Sequence, residues 1–358
     1  MKILFLEAYD AASHTYWRES LISQFNDFEW TELVLPGRYF NWRVRGNPLS
    51  WLNEPALEDD YDLILATSMV DLATLKGLYP NLANIRSIVY FHENQFAYPG
   101  SKSNHNLEAK MVSIYSALAA DQLIFNSKYN FETFINGTDE LIKSFPDKKP
   151  KDINKVLCDK SKFIPVGIDD NLFKEKPKGN ILLWNHRWEY DKGPNRLYET
   201  IKLISELDLD FKLAICGQQF RKIPDEFKLI ESQYSDMLIQ FGHISDRGDY
   251  LNLLSRSKYV LSTSIHDFQG LSILEAVACG AIPILPDRLA YPNYFDQKFL
   301  YDSSEQNIKL EARSLVNKLQ ELDSAQIKSF PDISYLKWSE LKKAYESEIK
   351  KAQQRHWA

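Results

Sequence analysis

The sequence predicts an α/β chain of two tandem, Rossmann-like doubly wound domains with a cleft between them. Three observations lead there. Short apolar runs alternate with segments of helical spacing along most of the chain, which implies parallel sheets with helices on both faces. At 358 residues the chain exceeds the ~250–300 at which a single core stops growing, so two domains are expected. A polar stretch at 169–180, containing Pro177 and Gly179, separates two such alternations and reads as a linker.

The first alternation, residues 1–168, has apolar runs at 2–8, 31–35, 61–67, 87–91, 122–126 and 162–166. Each has the length and composition of a buried parallel strand. Helical spacing fills 14–25, 106–119 and 129–135. The second, residues 181–335, has runs at 181–184, 211–216, 237–241, 259–262 and 282–285, with helical spacing at 195–207, 247–256 and 271–278. Residues 336–358 read as a C-terminal helix expected to pack back on the first domain. In doubly wound sheets ligands lie outside the carboxyl ends of the strands, so the site is expected in the interdomain cleft.

Composition narrows the function. Cys158, Cys216 and Cys279 are odd in number, with no CxxC or Cys/His spacing. A disulfide framework and a structural zinc are therefore disfavoured, and a cytoplasmic location is expected. No run reaches the ~18–20 apolar residues of a membrane span, and Met1-Lys2 leads straight into the first apolar run without a signal-peptide pattern. The net charge of −6 argues against a generally basic nucleic-acid binder. Two local exceptions stand out. Residues 143–162 hold seven Lys against three Asp, and the segment from Arg38 to Arg45 interleaves Arg38, Arg43 and Arg45 with Tyr39, Phe40 and Trp42. A solvated loop and an RNA-facing surface are equal readings of each.

Four segments carry candidate chemistry. In the stretch from His266 to Gly280, Asp267 and Glu275 stand eight apart across Gly270, with the second expected to open an apolar helix. That places a carboxylate, backbone N–H groups and a helix N-terminus at one point, which suits hydroxyls and phosphates. In the loop from Trp184 to Pro194, Arg187 and Lys192 precede a helix that Pro194 can begin, forming a diphosphate clamp. His92-Glu93-Asn94-Gln95 follow an apolar strand at its carboxyl end. The small residues leading to Ser13 and His14 allow close approach to an anion or sugar. They contain no GxGxxG, which disfavours NAD, and the chain has no P-loop. Asp60-Tyr61-Asp62 could be an acidic metal motif, but a polar lead-in to a strand is the favoured reading.

The stretch from Asp267 to Gly280, with the Arg187/Lys192 loop, resembles the retaining GT-B glycosyltransferases of family 4, which use nucleotide-sugar donors. The resemblance implies that Asp267 and the backbone of Phe268, Gln269, Gly270 and Leu271 hold sugar hydroxyls. It further implies Glu275 on the ribose, Arg187 and Lys192 on the diphosphate, and His92 beside the sugar near the reacting carbon. Asp267 stands where that family usually has Glu. Glu7-Ala8, Ser13-His14, Tyr90-Phe91-His92-Glu93-Asn94-Gln95, His186-Arg187-Trp188-Glu189 and Tyr291-Pro292 are similar to the tRNA-queuosine α-mannosyltransferase family. This implies GDP-mannose as donor, queuosine-containing tRNA as acceptor, and no metal or further cofactor. Ser13 and His14 then fall on the donor side, and Glu93, Asn94, Gln95, Trp42, Arg43 and Arg45 on the acceptor side. The alternatives are a family-4 enzyme with a lipid, polysaccharide or small-molecule acceptor, and a non-catalytic nucleotide-sugar or RNA binder.

Overall fold

The computed structural model describes residues 1–98, 107–173, 179–325 and 330–354. Asn106, residues 174–178 of the expected linker with Pro177, and residues 355–358 lie outside the described residues. The chain divides into two compact units, Met1–Gly167 with Trp338–Ala358, and Ile168–Lys337.

Unit 1 is built on a parallel sheet of β1 (Lys2–Asp10), β2 (Glu29–Pro36), β3 (Leu63–Thr67), β4 (Ser87–Phe91), β5 (Gln122–Phe125) and β6 (Ser161–Phe163). The order is β2-β1-β3-β4-β5-β6, so the winding reverses between β1 and β3. The residues of β3 and β4 are buried on both faces, which is why these strands read as unbroken apolar runs. Around the sheet lie α1 (Ala12–Gln24), α2 (Phe40–Ser50), α3 (Leu72–Leu78), α4 (Pro80–Ala83), α5 (Leu107–Ala119), α6 (Lys128–Lys143) and α7 (Ile153–Asp159).

Two basic segments with loop-like composition are ordered elements. The Arg38–Arg45 segment passes through Tyr39, held in the left-handed region at φ 59°, into α2. Pro48 inside that helix argues locally against it. Asn47 offsets the conflict: its buried side chain donates to Arg43 O and Met69 O and accepts from Asp71 N–H. Residues 143–162 contain α7 and the start of β6. The helix expected at 129–135 runs on to Lys143 through Gly137, where a Cβ would lie 2.4 Å from the Phe96 side chain. Gly is there for close approach, and the helix continues past it.

Unit 2 carries β7 (Ile181–Trp184), β8 (Lys212–Cys216), β9 (Leu238–Gly242), β10 (Tyr259–Leu261), β11 (Ile282–Pro286) and β12 (Leu300–Tyr301), all parallel. The order is β12-β11-β10-β7-β8-β9. Counted from β7 this is the doubly wound order 3-2-1-4-5-6, with the reversal between β7 and β10. Its helices are α8 (Pro194–Glu206), α9 (Asp225–Tyr234), α10 (Arg247–Arg256), α11 (Leu271–Ala278) and α12 (Ile308–Ser324). The elements β12, α9 and α12 fall outside the expected ones. β12 has two residues, too few for any periodicity.

The last helix, α13 (Trp338–Gln354), belongs to unit 1. The Tyr345 hydroxyl accepts from Trp17 Nε1 at 3.0 Å and donates to Pro165 O at 2.9 Å, 3.1 Å from the Tyr90 hydroxyl. A Cβ on Gly167 would collide with the Trp338 indole at 2.4 Å. No described helix is long and apolar enough to cross a membrane.

Candidate active site

In unit 2 the chemistry gathers where the winding reverses, at the carboxyl ends of β7 and β10. The loop after β7 tightens through a single helical turn at Tyr190–Lys192 into Gly193, at φ 65°, and Pro194 then opens α8. A Cβ at Gly193 would sit 2.2 Å from Thr263 O, so only glycine lets the two loops touch. Backbone bonds lock them: Ile265 N–H and His266 N–H both donate to Asp191 O, and Thr263 Oγ1 donates to Lys192 O.

Lys192 is buried at this junction. Its ammonium donates to His266 O at 2.6 Å and lies 3.3 Å from Asp191 Oδ2 and 3.6 Å from Asp267 Oδ2. Asp267 in turn accepts from Gly270 N–H at 3.0 Å and from the Tyr291 hydroxyl at 3.2 Å. Burial works against the Asp267 carboxylate, yet Lys192 and the Gly270 bond hold its pKa below the usual value. His186 and His266 flank the cluster. Burial and the nearby Lys192 cation push them down to about 3 and about 4, so both imidazoles are neutral near pH 7. Arg187 sits at the surface of the same loop, 3.1 Å from Glu189.

Helix α11 starts at Leu271 behind Gly270, at φ 76°, a cap residue with no side chain to bond the first N–H groups. Glu275 therefore does not open the helix. It lies a turn inside, buried, and pairs with Arg247 at the start of α10. Burial raises its pKa and Arg247 opposes the rise. Asn185 ties the end of β7 to both helices, donating to the Tyr250 hydroxyl and to Ser272 O.

In unit 1 the corresponding point lies beyond β1 and β4. Glu7, fully buried in the last half of β1, accepts from His14 Nδ1 at 3.0 Å and from Tyr9 N–H at 2.7 Å. The His14 ring stacks on His92, with centroids 4.1 Å apart and planes 22° apart. Glu7, His14 and His92 are the one group of potential metal ligands within 4.8 Å of one another among the described residues. Lone pairs of stacked imidazoles lie in near-parallel planes rather than converging, so the geometry is that of a hydrogen-bonded stack.

Residues 2–168 match the family described as tRNA-queuosine alpha-mannosyltransferase N-terminal, and residues 168–320 match glycosyl transferases group 1. Over 316 residues the chain is 34% identical to the tRNA-queuosine alpha-mannosyltransferase of Drosophila melanogaster, covering 84% of each chain. The chain belongs to the tRNA-queuosine alpha-mannosyltransferase family. It is a glycosyltransferase, and its fold is GT-B. HepE of Anabaena, solved in complex with UDP, shares the fold at 16% identity and a TM-score of 0.72, over 98% of this chain and all of that one. Sucrose-phosphate synthase of Thermosynechococcus elongatus does so at 14% identity and a TM-score of 0.73, over 98% of each.

The structure brings Lys192 and Asp267 together and keeps Glu275 beside Arg247. Phe268 and Gln269 are buried in the turn between Asp267 and α11, and Leu271 is half-buried. Ser13 is exposed while its neighbour His14 is enclosed. Asn94 turns inward: it donates to Asn130 and Thr133 and accepts from Phe96 N–H, so it builds the loop that an acceptor contact would require it to face away from. Gln95 is buried as well, its amide toward Glu93 and Met69, which leaves Glu93 as the partly exposed member of that run. Arg43 bonds Ser50, and Arg45 pairs with Asp71, the residue capping α3. Trp42 stands 62% exposed. Asp62, from the acidic triplet, accepts from Lys2 N–H and so serves as a lead-in to the sheet. Sequence reasoning gave no role to Asp191, His186, Arg247 or Tyr291. The His186–Glu189 and Tyr291-Pro292 matches were the available signals, but motif likeness does not say what a side chain touches.

Proposed function

We propose that this chain transfers mannose from GDP-mannose to queuosine in a tRNA anticodon, with retention at the sugar carbon. The observation that supports the donor half best is Lys192, a buried cation held between two carboxylates beside the start of α11, at the switch point of a doubly wound sheet. Burying a lysine is costly unless its partners and task demand it. In this reading Lys192 and Arg187 meet the diphosphate, and Asp267 with the turn Phe268–Leu271 holds sugar hydroxyls. Glu275 takes the ribose, and His92 contacts the sugar. The positive potential of these cations and of the α11 start is fixed before reaction, where charge develops on the leaving group. No metal is assigned to that task.

As the bond from the sugar carbon to the phosphate oxygen breaks, the acceptor hydroxyl bonds that carbon on the same face. Its proton passes to the departing phosphate, so no second catalytic carboxylate is required. The acceptor half rests on the family and on the exposed aromatic and basic residues of α2. Labelled GDP-mannose incubated with tRNA that contains or lacks queuosine tests the reading. Label is expected only in the queuosine tRNA, and Arg187→Ala should lower transfer by about 10²–10³, the usual cost of one preorganised charge-stabilising donor. Equal labelling of both tRNAs would remove queuosine as acceptor, and near-normal turnover of the variant would remove Arg187 from the diphosphate.

A further inference from the structure

The Glu7–His14–His92 stack is more elaborate than a buried polar contact in a sheet end requires. Glu7 is the terminus of the array. Its carboxylate has no solvent exposure and fixes the His14 ring through Nδ1. His14 lies flat on His92, Trp17 meets His92 edge-on at 4.7 Å, and Tyr90 closes another side at 4.7 Å. The His92 backbone is pinned by Asn126, which donates to His92 O at 2.8 Å. Three rings thus pack against that imidazole while its backbone is held. Yet His92 is only 7% exposed, and its Nε2 has no hydrogen-bond partner among the described residues. A buried nitrogen left unpaired is costly, and functional sites are where such costs are retained.

We propose that Glu7 and His14 are positioning residues that orient His92, whose unpartnered Nε2 bonds a hydroxyl of the substrate. This rests on the reading above in which His92 contacts the sugar. The charge relation has one direction. Burial opposes the His14 cation, but Glu7 favours it strongly, and Glu93 and Asp10 add to that, so His14 titrates above the ordinary histidine value. Burial and the neighbouring His14 cation both disfavour a second proton on His92, whose pKa falls well below it. Tyr90, with Tyr345 beyond it, and Trp17 face the pair without bringing charge near pH 7. Burial, together with the His14 cation that the Glu7 carboxylate supports, thereby disfavours a proton on the group that meets the substrate.

Glu7→Gln tests this, because the amide oxygen still accepts from His14 Nδ1 while the charge is gone. In the full chain with ¹⁵N-labelled imidazoles, titrated without substrate, the His14 transition should move to lower pH and that of His92 to higher pH. In steady state kcat should fall about 10- to 100-fold, the size of effect seen when an outer orienting partner is removed, with the donor KM within about twofold. The acid limb of the kcat profile should move to higher pH. His14→Gln, which still donates to Glu7, should reproduce the kcat loss and the shift of the acid limb, and serves if Glu7→Gln does not fold. Unchanged His92 resonances in the variants, or a lower kcat on a superimposable pH profile, would overturn the proposal. Failure of the wild-type chain to mannosylate queuosine tRNA would instead strike the functional reading, since the imidazole titrations need no substrate.

Discussion

His186 and His266 show how burial, reinforced by a neighbouring cation, sets the chemistry of a side chain. Both are enclosed beside Lys192 and titrate at about 3 and about 4. In the unfolded chain each would take a proton near pH 6.5, so below that value the unfolded state binds protons the folded state refuses. Stability contributed by neutral burial is therefore complete above about pH 6.5 and declines as the pH falls toward 4, by roughly 1.4 kcal/mol per pH unit for each histidine. Asp267 adds no loss in that window, because its depressed pKa places its own loss below the ordinary carboxylate value. Urea denaturation of unit 2, followed by a local probe from pH 7 to 4.5, should show this slope. His186→Asn should remove about half of it, and an unchanged slope would mean that His186 titrates normally.

At the scale of elements, α2 and α11 differ in how they use their surroundings. Helix α11 is apolar and buried almost throughout, so its core face was plain in the sequence, although Glu275, expected to open it, lies a turn inside. Helix α2 has little apolar periodicity, carries Gly46 and Pro48, and exists because Asn47 and Val44 anchor it to unit 1. Propensity argues against it, and tertiary hydrogen bonds decide. Its outward side displays Trp42, with Tyr39 just before it at 70% exposure. Exposed aromatics of this size suit stacking on unpaired bases. Trp42→Ala should raise the KM for tRNA by about 5- to 150-fold, equivalent to the ~1–3 kcal/mol of one base stack, and leave the donor KM unchanged. Arg43→Ala should flatten the salt dependence of tRNA binding by about one unit of slope if it meets a phosphate. Arg45 is a poorer probe, since its loss also strips the partner of Asp71 at the start of α3. Equal tRNA kinetics for Trp42→Ala and wild type would move the acceptor away from α2.

For the whole molecule, the two parallel sheets were legible because each central strand is buried on both faces and reads as an apolar run. The switch-point loops were legible because Gly and Pro punctuate them. What stayed hidden was set by distance along the chain. Asp191 and Asp267 both touch Lys192 though 76 positions separate them, and His14 stacks on His92 from 78 positions away. The contribution of α13 is of the same kind. Trp338, Tyr345, Ile349 and Ala352 are buried in unit 1, and at ~1.5–3 kcal/mol for each large apolar side chain their removal should exhaust much of a marginal stability. A chain ending at Lys337 should lose the calorimetric transition of unit 1 and keep that of unit 2. Retention of both transitions would show that α13 is dispensable.

The placement of α13 also bears on how the protein is made. Unit 2 is one uninterrupted segment, whereas unit 1 is completed by residues that leave the ribosome only after all of unit 2. At about 5–20 residues per second, the strands of unit 1 wait on the order of ten seconds or more for the helix that covers Trp17 and Tyr90. During that interval the second domain can finish folding before the first. The usual vectorial order of synthesis is inverted, and the nascent N-terminal sheet is the part of this enzyme with the longest exposure to chaperones.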